Sequence, residues 1–476
     1  MSEGRRFFTP ADIAQMAGEE PLLLVDVALM QIAQLQQRSA QLKEARAGLK
    51  EKEARIAQLE AQLLEAQKAA LRQAAPFRVP EQKRAQAPKP PGRKAGHPGA
   101  CRPRPERIDE EIIVALERCG ACGGSQWREP REFEQFIEEI PEPRPRVTRL
   151  RTYEAICACC GAETRSRHPL QTSDATGAAA VMPGPRALAV AADLNKARGL
   201  SMRKTCAVLA DHFGLKLTAG GLSQALDRVA AHLEPQYAQL HAELVAAPVL
   251  HVDETSWWVG GQPYWLWVFA CARGTLYLVL KSRGREVLDA VLGPSFAGVL
   301  VSDCLSVYDL ETGVQQKCYA HHFKAIKAAK AVDAAQGAGF LSELGDLLKS
   351  ALALGEKRAE LPAPQYQQEI AQLERSSEAL LSTAREKAHE ESVRQRLCKQ
   401  KDHLFSFLRH DGVDATNNLA ERQLRPAVIA RKLSCGNKTR AGARTFGILA
   451  SLAATAAQKG KSFIAQIAQA LPLNSS

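Results

Sequence analysis

The segment "VLHVDETSWW", residues 249–258, places two adjacent acids, Asp253 and Glu254, behind a short apolar run. Val249, Leu250 and Val252 follow the alternation of a strand, which predicts Leu250 and Val252 against a core and His251 with Asp253 on the opposite face. An aspartate at a strand end often does no more than start a turn. A chemical role for it therefore needs partners elsewhere in the chain.

Downstream, "SWWVGGQPYWLWVFACA" reads as an aromatic hairpin turning at Gly260-Gly261, and "TLYLVL" (275–280) as a third strand. A helical segment from Arg285 to Leu292 leads into "GVLVSD" (298–303), a strand that again closes on an aspartate, Asp303. "QKCYAHHFKAIKAAK" adds a fifth short strand and a helix. Residues 323–408 are helical in pattern apart from the breaker "LPAP" at 361–364.

Two neighbouring strands ending in Asp253 and Asp303 would deliver both carboxylates to one sheet edge. Facing carboxylates repel, so such a pair needs a shared proton or divalent cations. Glu421, in "DATNNLAERQLRP", is the natural third acid if its helix packs on that edge. Oxygen-only ligands suit Mg²⁺ or Mn²⁺. Glu421 also has a purely local reading: with Asn418 as N-cap it falls at the third helical position, and it stands four residues before Arg425. Glu254 and Thr255 read as supporting residues, and His251 as a neighbour of the site rather than a ligand.

Two blocks carry the positive charge of this chain, whose formal net charge is +11. Residues 77–105 hold eight Lys/Arg against the single acid Glu81, and nine Lys/Arg with no acid follow Glu421. Basic blocks on a mildly acidic body point to a polyanion, with nucleic acid first. Residues 76–105 are Pro-, Gly- and Lys/Arg-rich without apolar periodicity, the composition of a linker; Arg93 and Lys94 within it are candidates for DNA contact. "SMRKTCAVLADHFGLKLTAGGLSQALDRVAAHL" predicts one helix, a turn around Gly214 and a second helix from near Thr218. That pattern resembles a helix-turn-helix, with Arg203, Lys204, Lys216 and Arg228 placed to meet phosphates. Arg422, Arg425, Arg431 and Lys432 are the candidates in the C-terminal block.

Met1 to Gly18 lacks the long apolar stretch of a secretory signal, and "PLLLV" (21–25) is too short to span a bilayer. A cytoplasmic location is expected, where the twelve cysteines stay reduced. Clustered reduced cysteines suggest metal. "CGACGG" supplies Cys119 and Cys122, "CACCGAE" supplies Cys157 and Cys160, and each Cys-x-x-Cys runs straight into glycine. Two such turns complete a structural four-thiolate Zn²⁺ shell, with Cys159 a spectator. A hairpin of strands near 133–140 and 147–156 is expected between them. From Leu29 to Leu71 the chain is rich in helix formers, with Leu35, Leu42, Leu49, Ile56 and Leu63 repeating every seven residues, one seam of a coiled coil. The companion seam is poor, but the five-fold repeat favours a homo-oligomer.

The basic "PGRKAGHPGA", the paired cysteine turns, "VDETSWW", "WLWVFA", "VSDCLSVYD", "CYAHHFKAI" and "NNLAERQLRPAVIARKLS" together resemble the transposases of the insertion sequence 66 family along nearly the whole chain. The resemblance implies an RNase H-like nuclease fold with Asp253, Asp303 and Glu421 as catalytic acids of the DDE type, and a helical insertion between the last two. It further implies cleavage of a mobile element's ends and joining of the 3′-hydroxyl to target DNA, with double-stranded DNA as partner, association with the nucleoid, and accessory proteins of the same element as further partners. In "CYAHHFKAI" the family tends to have basic residues where His322 and Phe323 stand. The expected chain is multidomain, mixed α and α/β: an N-terminal coiled-coil segment (1–75), a basic linker (76–110), a zinc module (111–168) and a helical DNA-binding region (180–245). A catalytic core (246–322 and 411–476) follows, interrupted by a helical insertion (323–410). Two rival functions share parts of this pattern: a zinc-containing DNA-binding regulator, and an RNase H-like nuclease or resolvase without strand joining.

Overall fold

The computed structural model describes residues 30–50, 102–177, 180–293, 296–309, 313–332 and 339–471, with scattered positions between 11 and 56. The chain divides into two compact units, Met1–Ile137 and Glu138–Ser476, the boundary falling inside the segment expected to be the zinc module. In the first unit, residues 30–50 are helical, and Leu35, Leu42 and Leu49 of the heptad seam are all exposed. Leu63, Arg93 and Lys94 lie outside the described residues.

The second unit opens with a small antiparallel hairpin, β1 (Glu154–Ile156) and β2 (Glu163–Arg165). The longer hairpin expected upstream does not form, since no strand occurs at 133–140 and only the last residues of 147–156 pair. Pro141, Pro143 and Pro145 remove amide donors between the two segments, and Phe133, Ile137, Ile140 and Val147 are exposed, without a core to fix a face.

Four helices follow: α1 (Pro185–Ala192), α2 (Met202–Phe213), α3 (Ala219–His232) and α4 (Glu234–Val245). The hydroxyl of Ser201 caps α2 at the Lys204 amide, and Gly214 ends that helix in the left-handed region (φ 64°). Thr218 caps α3 at the Gly221 amide, so the helix–turn–helix predicted from the sequence forms with its expected boundaries.

The core of the unit is a five-stranded mixed sheet of β3 (Val249–Val259), β4 (Gln262–Cys271), β5 (Gly274–Leu280), β6 (Val299–Ser302) and β7 (Gln315–Lys317). Its order is β5-β4-β3-β6-β7, antiparallel among the first three and parallel from β3 to β7. Gly260 and Gly261, both at positive φ, make the two-residue turn between β3 and β4. Helix α5 (Arg285–Leu292) makes the crossover to β6. The helices α6 (Tyr319–Val332), α7 (Phe340–Glu356), α8 (Ala363–Ser382), α9 (Ala388–Lys399) and α10 (Ser406–Arg409) come next, with Pro362 as N-cap of α8. The chain then returns to the sheet through α11 (Asn418–Ser434), α12 (Arg440–Gln458) and α13 (Phe463–Ala470).

Both faces of β3 are covered. Leu250 and Val252 enter a core with residues of α1, α3, α4 and α12, while Trp257 and Val259 pack with Ala420, Leu424 and Phe446. A further core joins β6 to helices α6–α10. The strand β3 runs beyond its expected end at Asp253, because β4 keeps pairing with it to Val259 after β6 has stopped. Among the described residues, no helix is long and apolar enough to cross a membrane.

Candidate active site

The parallel register of β3 and β6 sets Val249 beside Val299 and His251 beside Val301. Two residues further along each chain stand Asp253 and Asp303, level with one another just past the last pair. The Asp253 carboxylate accepts the Glu254 amide at 2.8 Å, and that of Asp303 accepts the Leu305 amide at 2.8 Å, a local turn that holds its side chain. Burial pushes the Asp253 acid up to about 7, and the charges of Glu254, Asp303 and Glu421 push in the same direction. The charges of the other two acids singled out from the sequence thus both act on Asp253. A divalent cation would relieve the repulsion they impose on Asp253, and an oxygen donor set fits Mg²⁺ or Mn²⁺.

Beneath this site lies a polar network. Glu254 is buried, accepts the Arg283 guanidinium at 2.5 Å and 2.8 Å, and accepts the Tyr308 hydroxyl. Arg283 in turn covers the Trp265 ring at 4.4 Å. Lys317, with no exposed surface, reaches Asp309 at 3.1 Å and the Tyr308 carbonyl at 3.1 Å. Burial depresses its ammonium while Asp309 works against that. Glu254 therefore stays engaged away from any ligand shell, as a support for β3 beside Asp253.

Glu421 reaches the site because α11 is tied to β3. Asn417, 1% exposed, donates its amide to the Val252 carbonyl at 2.8 Å and bonds the His251 ring at 3.2 Å. It, rather than Asn418, is the N-cap of α11, and its side chain makes no capping bond. Glu421 accordingly lies one position deeper than a capping-box residue, and its amide bonds the Asn417 carbonyl. Further along, Arg431 donates to the hydroxyls of Thr255 (3.1 Å) and Ser256 (2.8 Å), which joins the far end of α11 to β3. The sequence pointed to Glu421 but not to Asn417, whose signal is its place in "NNLAER": a small amide with two donors and two acceptors, four residues before the acid.

Cys318, His321 and Glu421 form a second grouping, with one ligand atom from each within 4.8 Å of the others. Cys318 is buried at the start of α6, and its sulfur accepts the Asn417 amide at 3.2 Å. His322 turns the other way: it has no exposed surface, faces the Cys304 sulfur at 3.8 Å, and burial pulls its ring down to about 3. It is a neutral core residue rather than a DNA contact.

Each cysteine turn is formed within its own unit. Cys119 bonds through its amide to the Gly124 carbonyl and through its carbonyl to the Gly123 amide, both at 2.8 Å; Cys157 repeats this with Ala162 and Gly161. Gly123 and Gly161 both adopt φ 72°, the left-handed bend that only glycine takes without strain. Backbone amides at Ala121 and Cys122 draw the Cys119 thiol down, and those at Cys160 and Cys159 do so for Cys157, which favours the metal-binding thiolate. Of the expected DNA contacts, Arg203, Lys204, Lys216, Arg422, Arg425 and Lys432 are exposed. Arg228 donates to the Thr172 carbonyl at 3.3 Å and Arg431 to β3.

The family described as Transposase IS66 family matches residues 180–445, more than half of the 476 residues. The match begins before α1, ends within α12, and contains all three acids. No curated protein matches the sequence. The chain belongs to the IS66 transposase family, and membership implies an enzyme that acts on DNA and uses a divalent metal.

Proposed function

We propose that this transposase cleaves the ends of a mobile element and joins the freed 3′-hydroxyl to target DNA, with Asp253, Asp303 and Glu421 as its DDE acids. The observation that carries the reading is the level placement of Asp253 and Asp303 by the β3–β6 register, with Glu421 acting on the same carboxylate from α11. The sheet order and the return of α11 after a helical insertion support an RNase H-like core. Asp253, Asp303 and Glu421 would hold Mg²⁺ or Mn²⁺, which when bound supplies charge neutralisation at the phosphodiester.

The chain's own groups do the positioning. Asn417 fixes Glu421 against β3, and the Arg283–Glu254–Tyr308 network holds the strand beside Asp253. Water attacks the phosphodiester in the first step and the 3′-oxygen leaves. In the second step that hydroxyl attacks target DNA in line, and a target 3′-oxygen leaves, so the number of phosphodiester bonds is conserved in the exchange. Arg203, Lys204, Arg422, Arg425 and Lys432, on exposed positions, are the proposed phosphate contacts, with Arg93 and Lys94 from the linker. Zn²⁺ at the cysteine turns, self-association through the heptad helix, help from accessory proteins of the element and a cytoplasmic, nucleoid-associated location belong to the same proposal.

A donor DNA bearing an element end, supplied with a plasmid target and Mg²⁺, tests it. Joined products are expected. Binding without cutting would make the chain a regulator, and cutting without joining would make it a nuclease or resolvase.

A further inference from the structure

We propose that Cys318, His321 and Glu421 form a separate site for one thiophilic divalent cation such as Zn²⁺, adjoining the hard-metal site and sharing the Glu421 carboxylate with it. The three ligand atoms lie within 4.8 Å of one another, close enough to converge on a single ion. One sulfur, one imidazole nitrogen and one carboxylate oxygen are the donors that borderline ions select, whereas Mg²⁺ avoids sulfur.

Two further observations point to a ligand. Nδ1 of His321 is buried and makes no hydrogen bond, an orphaned donor or acceptor beside an acid and a thiol. The Cys318 sulfur, meanwhile, accepts the backbone amide of Asn417 at 3.2 Å, a donor brought to it from another helix. A cysteine that merely begins a helix accounts for the His321 amide on its own carbonyl. It does not account for Asn417 arriving from α11, nor for an unpartnered imidazole three residues on. Binding would displace the thiol proton to solvent and leave a thiolate bound to the ion. Glu421 would then be held from both sides, by Asn417 through the backbone of α11 and by the ion through its carboxylate.

The inference rests on the proposed reading for the role of Glu421 in cleavage, but its test does not. The full-length protein is loaded with ¹¹³Cd²⁺ and examined by cadmium NMR, whose shift reports how many sulfurs surround the ion. Besides any resonance from the thiolate-only cysteine turns, a resonance from a one-sulfur, mixed-donor site is expected. It should disappear in His321→Gln and in Cys318→Ser, while the other resonances and the tryptophan fluorescence of the sheet stay unchanged. Absence of a mixed-donor resonance in the wild type, or its survival in the folded His321→Gln protein, overturns the inference. Asp253→Asn should leave it in place. A chain that keeps this resonance yet never cuts donor DNA would refute the transposition chemistry and not the site.

Discussion

Asp253→Asn should abolish cleavage and, in Mg²⁺-free buffer, make the protein more stable. Its carboxyl is raised from 3.8 to about 7 by burial and by Glu254, Asp303 and Glu421. Between those values the folded chain holds a proton that the unfolded chain has released. The stability linked to it is complete below about pH 4 and is lost as pH rises through about 7. At about 1.4 kcal/mol per pH unit, the raised acid costs the fold roughly 2 kcal/mol at pH 5, where folding must take up a proton, and roughly 4 kcal/mol at pH 8, where the buried carboxylate is ionised. Asparagine keeps the shape and the acceptor for the Glu254 amide but carries no charge, so its advantage should grow by about 2 kcal/mol from pH 5 to pH 8. Urea unfolding followed by tryptophan fluorescence reads the right region, because Trp257, Trp258, Trp265 and Trp267 lie on β3 and β4. Mg²⁺ should stabilise the wild type more than the variant. An asparagine variant no more stable than wild type at pH 8, or an advantage that does not rise with pH, would refute the electrostatic account of the site.

Glu421→Gln and Glu421→Asp should both fold, judged by circular dichroism, and both lose cleavage. The glutamine removes the charge, and the aspartate withdraws the carboxylate by about 1.5 Å from a metal shell that tolerates about 0.2 Å. Near-normal cleavage by the glutamine variant would return Glu421 to a local helical role. Asn417→Ala should cost about 2–4 kcal/mol in urea unfolding, since it leaves the Val252 carbonyl and the His251 ring without their partner, and cleavage should fall beyond what the lost stability explains. Arg283→Met should destabilise by about 3 kcal/mol by stranding the buried Glu254. Adding Glu254→Gln should recover most of that loss, and a double variant no better than the single one would remove the pair from the account.

The sheet was largely readable from local pattern. Gly260-Gly261 announces its turn because two glycines take positive φ values without strain, and the apolar face of Arg285–Leu292 specifies its helix. Thr218 likewise marks the start of α3. Alternation misled at 133–140, where a strand-like pattern has no partner and no core. It also stopped β3 too early, because polar Glu254, Thr255 and Ser256 interrupt the apolar rhythm while β4 still supplies hydrogen bonds. The acids stood out by their positions at strand ends and beside a helix start. Asn417, Lys317 and His321 did not, since each matters through a partner from 8 to more than 160 residues away, and periodicity carries no record of such pairings.

The split placement of the acids sets an order of assembly. Asp253 and Asp303 are synthesised, with all five strands, before α7 begins, but one face of β3 stays uncovered until α11 and α12 arrive. At about 5–20 residues per second, Glu421 leaves the ribosome roughly 6–24 s after Asp303. During that interval the nascent chain carries two of its three acids, a sheet without its covering helices, and none of the basic block that follows Glu421. Any chain cut short within the insertion would be stopped in the same condition. If the proposed acids carry the chemistry, DNA cleavage becomes possible only once these last elements have docked, and the partial product is silent without an inhibitor.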